Sequence, residues 1–153
     1  SCLYEGRVLD LQGNPIAGAV LDVWSDNMDG YYDVQQPDLQ PKWNNRGRFV
    51  TGADGRYSFR GIKPVSYPIP DDGPVGQMLA QLGRHPWRPA HMHFMLNAEG
   101  YQRIVTHTFA AGDEYLTSDT VFGVKASLIQ TFEQSQHGAT QWKAGFDFVL
   151  VPG

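Results

Sequence analysis

Arg88-Pro89-Ala90-His91-Met92-His93 runs on into Phe94-Met95-Leu96, and the reading of this stretch decides the fold. It reads as a turn entering a strand. Side chains alternate across a strand, so His91 and His93 share one face, with Cα atoms about 7 Å apart. Met92, Phe94 and Leu96 fall on the other face and read as core. Two imidazoles converging from one strand can chelate a metal. A strand that happens to carry two histidines is the plainer alternative, and the rest of the chain must choose between them.

Outward from this strand the pattern is that of an all-β protein, punctuated by 17 Gly and 10 Pro. Tyr4 to Leu9 alternates and ends in the turn signature Leu11-Gln12-Gly13-Asn14-Pro15. Ile16 to Trp24 predicts a second strand. Phe49 to Thr51 and Arg56 to Arg60 flank Ala53-Asp54-Gly55, where Asp-Gly predicts a hairpin. Ala90 to Leu96, Arg103 to Phe109 and Phe146 to Val151 complete about seven short strands, the signature of a β-sandwich. Two segments have helical spacing. Val75, Met78, Leu79 and Leu82 follow Pro74, and Val121, Val124, Leu128, Ile129 and Phe132 follow Ser118-Asp119. Both stripes predict core contacts rather than sites. The fold expected is therefore a β-sandwich with long loops and one or two short helices, forming one domain over residues 1–153.

Composition narrows the function classes. The 153 residues suit one domain that buries roughly 70% of its unfolded surface. The net charge is −4 and the 12 basic residues are scattered, so no electrostatic footprint for nucleic acid exists. No apolar run approaches the roughly 20 residues that span a bilayer. The single Cys2 has no partner for an internal disulfide, which fits a reducing, cytoplasmic compartment.

The long connections hold the remaining signals. Ser25 to Arg46 has little periodicity but carries Tyr31, Tyr32 and Trp43. Lys63 to Gly73 places Tyr67 among Pro64, Pro68, Pro70 and the following Pro74. Loops of that length without structure are uncommon unless functional. The prolines restrict the chain around Tyr67 and pre-position its side chain at low entropic cost.

Asp29-Gly30-Tyr31-Tyr32-Asp33, Val65-Ser66-Tyr67-Pro68-Ile69-Pro70 and Arg88-Pro89-Ala90-His91-Met92-His93 together resemble the intradiol ring-cleavage dioxygenases. Gly6-Arg7-Val8, Gly13-Asn14-Pro15-Ile16-Ala17-Gly18-Ala19 and Gln81-Leu82-Gly83-Arg84-His85 resemble them too, so the likeness covers nearly the whole chain. It implies a mononuclear non-haem Fe(III) that splits a catechol between its two hydroxyl-bearing carbons, with insertion of both atoms of O2. It implies Tyr32, Tyr67, His91 and His93 as metal ligands, with Tyr31 competing for the first place. Tyr32 is preferred because the family's ligand lies two residues after the glycine. A ferric ion is a strong Lewis acid and would hold both phenolates, whose ordinary pKa is near 10. The resemblance further implies that Tyr67 leaves the metal and takes a proton as substrate binds. Arg88, always protonated, suits developing negative charge on the substrate; its plainer role is a surface salt bridge.

His107 departs from many catechol-cleaving members, which carry Gln at the matching place. Histidine there resembles the branch that cleaves hydroxyquinol (benzene-1,2,4-triol), as do Asp113 to Lys125 and Tyr32-Asp33-Val34-Gln35. His107 is expected beside the ligands rather than as a fifth one. His85 and His137 read as ordinary polar residues. Members of the family normally carry a helical N-terminal segment that dimerises and lines one pocket wall. This chain starts where their β-domain starts, so a natural minimal enzyme or a fragment is expected, with oligomeric state open. The partners implied are a small aromatic diol or triol and O2, giving cis,cis-muconate-type or maleylacetate-type products. Three competing readings remain: a non-catalytic β-sandwich binding module, a cupin metalloenzyme, and an intradiol enzyme for another catechol such as protocatechuate.

Overall fold

The computed structural model describes residues 1–135 and 140–153, and His137 lies outside them. In chain order the strands are β1 Cys2–Leu9, β2 Val20–Trp24, β3 Arg46–Val50, β4 Arg56–Gly61, β5 Tyr67–Pro68, β6 Trp87–Arg88, β7 His91–Asn97, β8 Ile104–Ala110, β9 Ile129–Gln130, β10 Phe132–Gln134, β11 Trp142–Gly145 and β12 Phe148–Val149. One α-helix, α1, covers Pro74–Gln81. The fold is a β-sandwich.

In the first sheet, β1 is central. It pairs antiparallel with β4 and parallel with β11 and then β12, while β10 flanks β11. The second sheet has the order β3-β2-β7-β8-β9. The inner faces meet in one core. Tyr4 and Val8 from β1 and Tyr57 and Phe59 from β4 pack against Leu21, Val23, Phe94 and Leu96, all at most 5% exposed. Phe94 stands edge-on to Phe59 and tilted on Phe148, which ties the layers through aromatic contacts. Burying Met92, Phe94 and Leu96 leaves His91 and His93 on the outer face of the second sheet.

Three sequence expectations fail here for identifiable reasons. The Asp54-Gly55 turn forms, with Gly55 at φ +70° and its N–H on the Gly52 carbonyl. Its flanks do not pair as a hairpin: β3 joins β2, and β4 joins β1 in the other sheet. The turn carries the chain between layers. The second helix is absent. Val121 to Phe132 holds only a single 3-10 turn, Ala126–Leu128, followed by β9 and β10. The first helix forms, but its stripe faces outward: Leu79 alone is buried, while Val75, Met78 and Leu82 are exposed.

Candidate metal centre

Register across the second sheet assembles the centre. Arg46 on β3 faces Trp24 on β2, Trp24 faces His93 on β7, and His93 faces His107 on β8. Directly opposed residues lie on the same side of a sheet, so one cross-strand row carries all four. Trp24 stacks flat on His93, with centroids 4.8 Å apart and planes 3° apart, which fixes the imidazole plane. His91 starts the same strand one pleat earlier and is buried.

Two loops bring phenols to these imidazoles. Asn27 Oδ1 accepts the Asp29 and Tyr31 N–H groups, closing a turn that leads into Gly30 at φ +80°. A Cβ at Gly30 would lie 3.1 Å from the Tyr67 Cβ, so a side chain there would crowd Tyr67. After the turn, Tyr31 points outward at 45% exposed and Tyr32 inward. The Tyr32 N–H donates to Gln35 Oε1 at 2.8 Å. Tyr67 arrives on the two-residue ribbon β5·β6, directly opposite Arg88.

The four donor atoms converge. Tyr32 Oη lies 3.2 Å from Tyr67 Oη and 2.9 Å from His93 Nε2, and His91 Nε2 lies 3.1 Å from His93 Nε2. Ligands at right angles on bonds of about 2.1 Å sit about 3 Å apart, so these separations suit one shared ion. His91 Nδ1 lies 2.7 Å from the Pro89 carbonyl, which can only accept. Nδ1 therefore carries the proton and Nε2 presents its lone pair, the form a metal requires. Burial, then the Arg88 charge, push His91 down to about 3; burial, then His91, lower His93 further. Both imidazoles are neutral at any ordinary pH. Burial, then the neighbouring Tyr67, push the Tyr32 phenol far above its usual value. A highly charged cation is what would turn that phenol into a phenolate. Among the described residues no three His, Cys, Asp or Glu side chains gather as a metal site. A metal here depends on the tyrosines.

Arg88 is buried at 6% exposure, so its surface-ion-pair reading fails. Its Nη1 lies 3.1 Å from His91 Nε2. His107 rings lie 5.4 Å from His91 and 5.2 Å from His93, and its Nδ1 is buried with no hydrogen-bond partner among the described residues. Burial, then Arg88, lower the His107 pKa.

Sequence reasoning missed the aspartates that hold these segments. Asp33, next to Tyr32, accepts from the Trp43 N–H and pairs with Arg46 at 2.8 Å. Asp119 accepts from Arg88, and Asp113 accepts from Ser66 and from the Ala90 N–H. Asp26 differs: it is 1% exposed and, among the described residues, neither carboxylate oxygen has a hydrogen bond of ordinary geometry. Burial pushes it up to about 7, against a smaller downward pull from the Val65 backbone N–H nearby. His85 is explained locally. Its Nδ1 accepts the Trp87 N–H at 3.1 Å, so Nε2 is protonated and donates to Ser118 Oγ at 2.9 Å. That tautomer leaves His85 unable to act as a base on Ser118.

A family model described as Dioxygenase matches residues 1–152. The hydroxyquinol 1,2-dioxygenase of Rhizobium sp. (strain MTP-10005) is 55% identical, over 97% of this chain and 54% of that protein. This chain belongs to the intradiol ring-cleavage dioxygenase family. The 6-chlorohydroxyquinol 1,2-dioxygenase of Cupriavidus pinatubonensis is 51% identical over 99% of this chain and 54% of that relative. The crystal structure of hydroxyquinol 1,2-dioxygenase from Pseudomonas putida DLL-E4 superposes with a TM-score of 0.92 at 46% identity, covering 99% of this chain and 56% of that one. The chain thus spans about half the length of the curated family members it matches. Among the described residues no helix is long and apolar enough to cross a membrane.

Proposed function

We propose that residues 1–153 form one catalytic β-sandwich unit of an Fe(III)-dependent intradiol dioxygenase. Its substrate is a small catechol-type ring, with hydroxyquinol first and catechol second. The products are maleylacetate-type or cis,cis-muconate-type acids. One observation carries this reading: Tyr32, Tyr67, His91 and His93 converge from three chain segments with donor separations of 2.9–3.2 Å. A binding module has no use for two inward-facing phenols against two neutral imidazoles. The names of the two matched relatives favour the triol over catechol.

Tyr32, Tyr67, His91 and His93 would hold the metal. The chemistry Fe(III) supplies when bound is to accept the ring's two oxygens and withdraw electron density, so that O2 reacts at a ring carbon. The protein's groups do the rest. Trp24 and the Pro89 carbonyl fix the planes and tautomer of His93 and His91. Tyr67, across the ribbon from Arg88, takes a substrate hydroxyl proton at Oη. Arg88 offers a fixed positive charge to oxygen that becomes anionic during cleavage, in a buried setting where such help is strongest. His107 Nδ1, buried without a partner among the described residues, is the group we assign to a third ring hydroxyl.

Purified protein should be red from tyrosinate-to-Fe(III) charge transfer and contain one iron per chain. It should consume O2 with hydroxyquinol and, more slowly, with catechol. Colourless protein that takes up no iron, or red protein inert towards both rings, overturns the proposal.

A further inference from the structure

Asp113 hydrogen-bonds to both the loop that carries Tyr67 and the segment that leads into the His91 strand. Its Oδ2 accepts from Ser66 Oγ at 2.6 Å and from the Ala90 N–H at 3.0 Å. Ser66 is the chain neighbour of Tyr67, and Ala90 is the chain neighbour of His91. A single oxygen atom therefore joins the residues preceding two of the four converging donors. The other oxygen, Oδ1, accepts the Tyr115 N–H at 2.9 Å, which holds the carboxylate in place from its own loop. The Ala110 carbonyl accepts the Asp113 N–H at the end of β8. The anchor is thus tied to the sheet that carries His91 and His93.

Besides this link the Tyr67 segment is tied near the centre by a short ribbon, extended by the Ile69 N–H donating to the Pro86 carbonyl at 3.0 Å. That ribbon pairs Tyr67 with Arg88 and Pro68 with Trp87, and Pro68 has no N–H to donate. So short a ribbon is a weak tether for a side chain that must sit within tenths of an ångström of its neighbours. The Tyr67 and His91 rings are 5.4 Å apart, and Asp113 adds a second tie between the segments that carry them.

We infer that Asp113 is a positioning residue: through Ser66 and Ala90 it sets where the Tyr67 phenol stands relative to His91, and so tunes the tyrosinate bond at the centre. The inference rests on the proposal that Tyr67 and His91 serve one metal. Ser66 is the element of the link that can be removed with least harm to the fold. Its hydroxyl makes one bond, whereas Asp113 makes three.

The test uses iron-loaded wild-type protein, Ser66→Ala, Ser66→Thr and Asp113→Asn. Three readouts are taken: the visible charge-transfer band, the rate of iron loss to a chelator, and kcat with KM. Loss of one hydrogen bond should speed iron loss roughly two- to tenfold. Ser66→Ala should show that acceleration together with a moved or weakened band and a lowered kcat, with KM nearly unchanged. Ser66→Thr keeps a hydroxyl and should restore the wild-type values. Asp113→Asn should resemble Ser66→Ala or exceed it. If Asp113→Asn does not fold, the Ser66 pair decides alone. A Ser66→Ala protein with wild-type band, iron loss and kcat overturns the inference, whatever its melting temperature. So does an acceleration that Ser66→Thr leaves in place. Wild-type protein without iron or band overturns the metal-centre proposal first, and is distinguished from the other outcomes by needing no variant.

Discussion

Arg88 is locked to Asp119 by two hydrogen bonds, Nε to Oδ1 at 3.1 Å and Nη2 to Oδ2 at 3.4 Å, and both side chains are buried. Asp119 also accepts the Gly123 N–H at 2.8 Å and the Val121 N–H at 3.3 Å. The carboxylate is itself held by the loop that follows it. The guanidinium is left with Nη1 directed at His91 Nε2. A flexible surface arginine has become a fixed charge one bond from the proposed ligands.

This predicts a separation between colour and rate. Arg88→Ala should keep iron and colour and lose roughly 100-fold in kcat, the scale of losing one transition-state donor. Asp119→Asn should keep colour and lose about tenfold, as expected for a supporting partner. Both should also lower stability, because each leaves a buried group without its mate. Steady-state kinetics on iron-quantified protein check it. Unchanged turnover in Arg88→Ala would return the pair to a purely structural role.

The adjacent tyrosines make a sharper case. Tyr31 is 45% exposed, while Tyr32 Oη lies 2.9 Å from His93 Nε2. Tyr32→Phe should abolish or strongly shift the charge-transfer band, and Tyr31→Phe should leave it nearly intact. His91→Ala and His93→Ala should each fail to retain iron. Visible spectra and metal analysis of the four proteins decide the matter; a lost band in Tyr31→Phe alone would place the ligand one residue earlier.

Asp26 gives a pH dependence with a definite sign. Its ordinary value is 3.8, and burial raises it to about 7. The folded state therefore holds a proton that the unfolded state releases between those values. Stability falls as pH rises through that window, by about 1.4 kcal/mol per pH unit for one proton, and levels off above it. Asp26→Asn removes the penalty. Its stability gain over wild type should be near zero at pH 4, grow towards pH 7 and then flatten. Denaturant unfolding of both proteins at half-unit pH steps measures this. Parallel curves from pH 4 to 7 would show that Asp26 carries no such shift.

Parts of this centre were legible because their signals are local. The period-two pattern of His91 to Leu96 places imidazoles and core on opposite faces whatever else the chain does. Prolines around Tyr67 announce a constrained loop. The failures come from tertiary competition. Val121, Val124, Leu128, Ile129 and Phe132 match a helical period, but Asp119 captures the Val121 and Gly123 N–H groups with its side chain. That is the capture by which aspartate competes with helix formation, and Phe122 is left at φ +57°. Downstream, Ile129 pairs with Phe109 as a strand instead. The scaffolding role of Asp33, Asp113 and Asp119 left no mark in the sequence, since a carboxylate that will be buried looks like any surface carboxylate until its partners are known.

The proposed preference for a third hydroxyl rests on His107. Its imidazole faces His93 across the strand pair, has its pKa lowered by burial and then by Arg88, and keeps Nδ1 buried without a partner among the described residues. A ring carrying a third hydroxyl can satisfy that nitrogen; plain catechol leaves it unpaired. Leaving a buried polar group unpaired costs on the order of 1–3 kcal/mol, which is about a 5- to 150-fold difference in kcat/KM. A water molecule admitted beside catechol would shrink the difference towards the lower end. Hydroxyquinol should therefore be preferred, with catechol still turned over. His107→Gln can place its amide near the same point, but with a longer, more adaptable side chain that catechol does not leave stranded. The variant's hydroxyquinol-to-catechol ratio should fall by at least about fivefold, the low end of the same range. Steady-state kcat/KM for both rings, measured on wild type and variant with equal iron content, reads the ratio directly. An unchanged ratio would mean that Nδ1 of His107 does not meet the third hydroxyl, and that the choice between triol and diol is made elsewhere on the pocket wall.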